Sequence, residues 1–534
     1  MKVLLKNGLI MDGTGEKAYQ GDVLVDGFRI KEVSNLPITA DCPTIDCTGL
    51  AIAPGFIDSH SHNDSCIYFK EDIPFTEPFL RQGITTYVAG QCGFSIAGIE
   101  KGSPYGNETN FFPTSPNDPQ FFNTYAEYFE YIRNNGIRQN MAMFAGHGIA
   151  LGSVVGAEPK GPTTPEQMGR TAAIIEEGLD AGCKGISFGL GYRPGIFCTN
   201  KELRDIAELA VKRNKLITVH SRVMGNLGVE LYGEDFSEPH NVRWNREFLD
   251  LFRGSNARVH ISHLLFVGRA AWPSYDQMFE MIEKNLAMGD IDLMFDMYSY
   301  IQGGTSISVR MPPFFFDNFP QIFDDKSLWP QLEKEITRFN SGRGIEPNDV
   351  LLCNPFDDEL QKYRGMFMDE ICEARGMSLT ELYLDLYKRS NGTASIYILI
   401  EQPEENVPKQ MVHDKALYMT DAWIVPGSLQ NACAYGSLPK FLRISRETKN
   451  QSMEMTVAKM TGRAATRWDL FGRGFLRKGY FADITVFNPN TVAETATPKQ
   501  PEQFPIGIEH VFINGEHVLN QGNFDKGIRA GMLL

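Results

Sequence analysis

Pro54-Gly55-Phe56-Ile57-Asp58-Ser59-His60-Ser61-His62-Asn63-Asp64 carries a short apolar run into two histidines spaced two apart. Side chains alternate across a strand, so His60 and His62 face the same side and both imidazoles can reach one metal ion. An H-x-H pair alone is a weak signal. Behind a strand that ends in Phe56-Ile57-Asp58 it is a much stronger one. What surrounds this stretch sets the fold. Strand-like runs recur down the chain: Ile84-Thr85-Thr86-Tyr87-Val88-Ala89, Met141-Ala142-Met143-Phe144-Ala145, Gly185-Ile186-Ser187-Phe188, Leu216-Ile217-Thr218-Val219, Arg258-Val259-His260-Ile261-Ser262 and Ile291-Asp292-Leu293-Met294-Phe295-Asp296. Helix-like stretches such as 168–182 separate them. Alternating β and α implies a parallel sheet, and this many units predicts an α/β protein built on a (β/α)8 (TIM) barrel.

Outside the barrel the texture changes. Val3-Leu4-Leu5, Asp22-Val23-Leu24-Val25 and Arg29-Ile30-Lys31-Glu32-Val33 read as short strands split by Asp-Gly turns at Asp12-Gly13 and Asp26-Gly27. Ala482-Asp483-Ile484-Thr485-Val486-Phe487 and the run from His510 to Val518, with its Asn514-Gly515 turn, look the same. One small β-sandwich domain assembled from both ends, 1–53 and 475–534, is expected around a catalytic barrel at 54–474. The rhythm breaks at about 305–415, where Met311-Pro312-Pro313-Phe314-Phe315-Phe316 and a helix-like 379–389 indicate an insertion before the last barrel strand.

Composition narrows the function. The 534 residues are 42% hydrophobic and 22% charged, ordinary for a globular chain with a large core. With 51 basic against 66 acidic residues, the formal net charge of -15 argues against a nucleic-acid surface. No apolar run is long enough to span a membrane, and the N-terminus lacks a secretory pattern, so a cytoplasmic location is the expectation. The nine cysteines are scattered, which does not suit a disulfide framework. A small-molecule substrate is the expected partner, and homo-oligomer formation stays open.

Further candidates fall where barrel strands should end, the face on which such barrels carry their chemistry. Gly90-Gln91-Cys92-Gly93 can bring a sulfur close to a metal, although by itself Cys92 reads more readily as a small buried residue. His220 and His263 each follow a β-branched run, where a core position would be apolar. Asp421, in Tyr418-Met419-Thr420-Asp421, can cap a helix or serve as metal ligand and general base. Four His, one Cys and one Asp on five strand ends suit zinc better than magnesium or calcium.

Together these motifs resemble the amidohydrolase superfamily, and within it the N-acyl-D-amino-acid deacylase (D-aminoacylase) branch. The first metal motif matches 54–64, and Gly90-Gln91-Cys92-Gly93-Phe94-Ser95 is similar to G-N-C-G-x-S, with Gln91 for Asn. Ile186-Ser187-Phe188-Gly189-Leu190-Gly191-Tyr192-Arg193-Pro194-Gly195 resembles I-S-x-G-L-x-Y-x-P-G, and Ser262-His263, Thr420-Asp421 and 473–483 also fit. The resemblance implies zinc-dependent hydrolysis of a non-peptide C–N bond. His220, His263 and Cys92 would hold a tight zinc. His60, His62, Cys92 and Asp421 would frame a second, weaker position. Cys92 would stand in the place that a carboxylated Lys bridges in hydantoinases and dihydroorotases. Asp421 and Tyr192 would be catalytic.

Two departures concern the substrate. The branch follows the equivalent of His263 with His and a carboxylate-binding Lys, whereas this chain has Leu264-Leu265. An H-P-R stretch after the catalytic Asp is replaced by Ala422-Trp423-Ile424-Val425-Pro426-Gly427. Arg193, Arg222, Arg310 and Tyr298 are the candidate substrate-binding residues, since a guanidinium can bind a carboxylate bidentately. Alternatively, Leu264, Leu265, Phe266 and Trp423 suit a more apolar group. A cyclic amide, imide or carbamate hydrolase and a non-catalytic metal-binding member of the fold are the competing readings.

Overall fold

The computed structural model of the protein describes residues 1–105, 118–157, 161–225, 232, 235 and 237–534. The chain opens with β1 (Lys2–Ile10), β2 (Tyr19–Asp26), β3 (Arg29–Ser34), β4 (Thr44–Asp46) and β5 (Ala51–Pro54). It then runs through β6 (Phe56–Asp58), β7 (Ile84–Ala89), β8 (Asn140–Met143), β9 (Ala145–Gly146), β10 (Gly185–Gly189), β11 (Leu216–His220), β12 (Arg258–Ile261) and β13 (Asp292–Met297). Next come β14 (Gly303–Ser306), β15 (Val350–Asn354), β16 (Ser395–Ile398) and β17 (Ala416–Tyr418). The chain closes with β18 (Ile484–Phe487), β19 (Ile508–Ile513), β20 (Glu516–Asn520) and β21 (Asn523–Phe524).

Parallel pairing runs β6-β7-β8 and β9-β10-β11-β12-β13-β17. The third barrel strand is split at Phe144, with β8 pairing to β7 and β9 to β10. The ring closes where Ser59 N–H donates to Tyr418 O at 3.3 Å and Asp421 N–H donates to His60 O at 3.0 Å. Every residue of β7, β10 and β11 is buried. This is why these strands read as continuous apolar or β-branched runs instead of alternating ones: a parallel strand is covered on both faces. Two of the helices between them start at capping boxes, with Thr164 on the helix Pro165–Ala181 and Thr199 on Asn200–Val211. Among the described residues, no helix is long and apolar enough to cross a membrane.

Both chain ends contribute to one nine-stranded sheet, in the order β21-β20-β19-β18-β5-β1-β2-β3 with β4 beside β1. The sheet returns on itself, since Arg29 bridges Phe481 just ahead of β18. Val3, Leu5, Val23, Val25, Ile484 and Phe512 share the core so enclosed. Asp26-Gly27 forms the hairpin between β2 and β3, whereas Asp12-Gly13 lies in a longer connection between β1 and β2. Between β13 and β17 the chain builds an antiparallel sheet in the order β14-β16-β15, packed with the helices Trp329–Arg343, Met368–Arg375 and Leu379–Ser390. Ile307, Phe315, Leu332, Ile336, Leu382 and Ile396 give it a core of its own, which explains why the βα rhythm stops there.

The far end of the barrel is held by buried charge. Arg467, 3% exposed, donates to Asp292 Oδ2 at 2.7 Å and to Val259 O at 2.5 Å, at the N-terminal ends of β13 and β12. Lys184 Nζ reaches Asp469 O at the same end, away from the strand ends that carry the histidines. Hydrogen bonds made by a charged group contribute about 1.5–3 kcal/mol each. Arg467→Met is therefore expected to lower the unfolding free energy by about 2–4 kcal/mol without changing bound metal. Denaturant titration together with metal analysis checks this, and an unchanged unfolding midpoint would contradict it.

Candidate metal centre

Five barrel strand ends contribute donors. His60 and His62 follow β6, Cys92 follows β7, His220 ends β11, His263 follows β12 and Asp421 follows β17. Their ligand atoms converge in two sets, His60, His62, Cys92 and Asp421, and Cys92, His220 and His263, and within each set all atoms lie within 4.8 Å of one another. Cys92 belongs to both. Its Sγ is 3.2 Å from His60 Nε2 and 3.2 Å from His263 Nε2. His220 Nδ1 is 2.8 Å from His263 Nε2. Asp421 Oδ1 is 3.3 Å from His60 Nε2 and 3.2 Å from His62 Nε2. Imidazole, thiolate and a carboxylate at this density match the donor preference of zinc.

The electrostatics follow from packing these groups together out of water. Burial alone would raise the Cys92 thiol, but the positive charge of His60 and His263 and a bond from His220 hold it well below its ordinary value. Burial would likewise raise Asp421, yet His60, His263 and His62 keep its carboxyl below the usual carboxylate range. In return, burial disfavours the charged imidazoles while Cys92 and Asp421 favour them. The balance puts His62 and His263 up at about 9 and raises His60 as well. His220 goes down, through burial and the charge on His263. The cluster thus carries protons that a cation would displace.

Backbone geometry is specialised at three of the six donors. Cys92, His263 and Asp421 have φ of 55°, 33° and 49°, a left-handed conformation that side-chain-bearing residues rarely adopt and that costs about 1–3 kcal/mol each. Glycines clear the space around them. A Cβ at Gly189 would lie 1.9 Å from Cys92 O, and one at Gly191 would lie 2.7 Å from His220 Nε2. This is the physical content of Gly189-Leu190-Gly191-Tyr192. It also sets the Tyr192 ring 4.3 Å from that of His220. Burial, followed by the negative charges of Cys92, Asp421 and Glu401, keeps the Tyr192 hydroxyl protonated.

Reading the sequence for strand-end histidines did not single out the group behind them. Asp296, fully buried in β13, accepts from His263 N–H at 2.5 Å through Oδ1, while Oδ2 lies 3.0 Å from His260 Nε2 and 3.4 Å from His60 Nδ1. It thereby fixes the orientation of one ring and the backbone of another. Its signal was an acid at the end of an otherwise apolar strand. Asp58 does similar work at the barrel seam, accepting from Thr420 N–H at 2.8 Å and Thr420 Oγ1 at 2.6 Å, and burial pushes its carboxyl up to about 7.

The candidate substrate-binding residues separate. Tyr298 is buried at the end of β13, and Tyr192 packs 4.9 Å from Phe94. The guanidinium of Arg193 lies 4.0 Å over the Phe316 ring of the insertion. Arg222 donates to Cys198 O at 2.7 Å and lines a side cavity of about 220 Å³ with Tyr232, Trp244 and Glu247. Arg310 does not join the cluster's neighbours. It lies in the insertion, hydrogen-bonded to Asn340 and 5.8 Å over Phe339, because the short helix that carries it packs into the insertion's own core. Leu264 and Leu265 are buried beside His263, and Trp423 packs edge-on against His62 at 5.2 Å.

A barrel with this strand-end donor set and a terminal β domain is the architecture that the chain shares with solved amidohydrolase structures. The chain's full-length relatives and structural neighbours include D-aminoacylases and N-acyl-D-amino-acid deacylases. It is 28% identical over 533 residues to a D-aminoacylase of Alcaligenes xylosoxydans xylosoxydans, covering 100% of this chain and 97% of the relative. A crystal structure of N-acyl-D-glutamate deacylase from Bordetella bronchiseptica, complexed with zinc and a phosphonate mimic of the tetrahedral intermediate, superposes with a TM-score of 0.81 at 23% identity. That match covers 100% of this chain and 99% of the other. A D-aminoacylase structure with a binuclear metal centre matches with a TM-score of 0.80 at 24% identity, over 99% of each chain. No family model matches the chain.

Outer hydrogen-bond partners of metal-binding histidines tune affinity about 10–100-fold when removed. Asp296→Asn, which keeps the shape but not the charge, is expected to weaken cation retention by that factor. Competition with a chelator measures it, and wild-type retention would show that Asp296 serves only the fold.

Proposed function

We propose that the chain is a zinc-dependent amidohydrolase that cleaves a linear amide, with N-acyl-D-amino acids or related acyl compounds as the substrate class. The observation that carries this reading is the buried Cys92 thiol shared between two convergent donor sets. His220, His263 and Cys92 would hold the tight ion, and His60, His62, Cys92 and Asp421 a second, weaker one. Bound zinc supplies a Lewis acid for the carbonyl and a water whose pKa falls to about 7.

The protein's own groups do the rest. Asp421, kept ionised by the surrounding histidines, accepts the proton of the attacking water and later delivers it to the leaving amine nitrogen. Tyr192, kept protonated, donates its O–H to the carbonyl oxygen as negative charge builds there. Leu264, Leu265 and Trp423 line the site with apolar surface and exclude water. Arg193, whose guanidinium lies over the Phe316 ring at the rim, is one candidate for a substrate carboxylate, while Arg310 hydrogen-bonds Asn340 and Arg222 hydrogen-bonds backbone carbonyls. The same commitments favour, as a second reading, a cyclic amide or carbamate that lacks a free acid. A panel of N-acyl-D- and N-acyl-L-amino acids beside cyclic amides, assayed with zinc-loaded enzyme, separates the two.

Asp421→Asn is expected to lower kcat by roughly 10²–10⁴-fold while zinc at the tight position persists. A loss of less than about tenfold would remove Asp421 from the role of general base. His220→Ala and Cys92→Ala are expected to lose that zinc altogether, and full stoichiometry in both, by elemental analysis, would refute the ligand assignment.

A further inference from the structure

The mouth of the barrel contains a buried acid that the proposed reaction does not use. Glu401 follows β16, where the chain returns from the insertion. Its N–H donates to Ile301 O at 3.0 Å, beyond β13, and its carbonyl accepts from Phe266 N–H at 3.0 Å, beyond β12. These bonds fix it in the loops at the ends of the strands that carry His263 and Asp296. The side chain is 7% exposed, and Oε2 has no hydrogen-bond partner among the described residues. Its charge acts on His263, Asp421 and Tyr192, three groups that wall the metal cluster.

Glu401 does not stand alone. Gln402, fully buried, leaves both amide atoms unpaired, and Gln302 gives its Nε2 to Asn431 but leaves Oε1 unpaired. Buried polar groups are nearly always satisfied, so an unpaired group beside a reaction centre points to a partner that arrives with the substrate. Gly303 makes room for the carboxylate, because a Cβ there would fall 1.8 Å from Glu401 Oε1.

We propose that Glu401 is a specificity subsite that accepts hydrogen bonds from an ammonium or guanidinium group on the substrate. This rests on reading the metal cluster as the hydrolytic centre. Oε2 is a buried acceptor with no partner among the described residues, and a cationic group on the substrate would supply both the donor and an opposing charge. Burial, partly offset by His263 and reinforced by Asp421, pushes the Glu401 carboxyl up to about 8, and a bound cation would draw it toward its ionised form.

The test compares N-acetyl-D-lysine with N-acetyl-D-norleucine, which lacks only the ammonium group. Calorimetry on zinc-loaded Asp421→Asn protein reads binding without turnover. The lysine compound is expected to bind about tenfold or more tightly than the norleucine compound. This preference should vanish in the Glu401→Gln background and in Gly303→Ala, whose methyl would displace the carboxylate. Equal binding of the two compounds, binding of neither, or a preference that survives Glu401→Gln overturns the subsite. Hydrolysis of N-acetyl-D-norleucine by zinc-loaded wild type is followed in parallel. If that compound and its lysine counterpart are both inert while the binding preference holds, the deacylase reading fails and the subsite stands.

Discussion

Cys92 Sγ lies 3.2 Å from imidazole nitrogens on two sides, buried inside the barrel. Low dielectric makes an isolated thiolate or carboxylate expensive there. The same low dielectric strengthens the attraction between opposite charges, so the thiol, Asp421 and the histidines stabilise one another's ionised forms. Removing any one member leaves the others uncompensated. The donors behave as a single electrostatic unit, and the barrel around them has to hold that unit at fixed spacing.

The backbone bears part of that task. Three donors sit in left-handed conformations that only a surrounding structure can impose, and Gly189 and Gly191 bring neighbouring strands close enough to impose them. Asp296 adds a second constraint by holding the His263 backbone and the His60 ring at once. At the other end of the barrel, Arg467 and Asp292 hold the strands from below, so the strand ends above are free to be strained.

Much of this was legible in the sequence for a simple reason. Strands covered on both faces must be apolar throughout, so His60, His62, His220 and His263 stand out at their ends as residues that a core would not choose. Cys92 carried less signal, since a cysteine between glycines suits a tight turn equally well, and only its company made it a ligand candidate. The substrate side was harder to read. Arg310 looked available because a guanidinium in sequence carries no record of its partner, and its partner Asn340 belongs to a segment with a separate core. Asp296 and Glu401 were missed for a related reason. An acid's role depends on which distant loop or ring it meets, and the pairing of Glu401 with Ile301 and Phe266 spans long stretches of chain.

The insertion's separate core also divides the labour of the molecule. Ile307, Phe315, Leu332 and their neighbours pack on each other, while β10 to β13 pack within the barrel. The insertion nevertheless reaches the mouth, through Phe316 beneath Arg193 and through the return of the chain at Glu401. A change in the insertion's interior can therefore shift the rim by fractions of an ångström while the donor cluster keeps its geometry. The choice of molecule and the chemistry performed on it thus rest on separately packed modules that meet at the rim, so new substrate preferences can be acquired by drift in the insertion while the donor strands keep their own core.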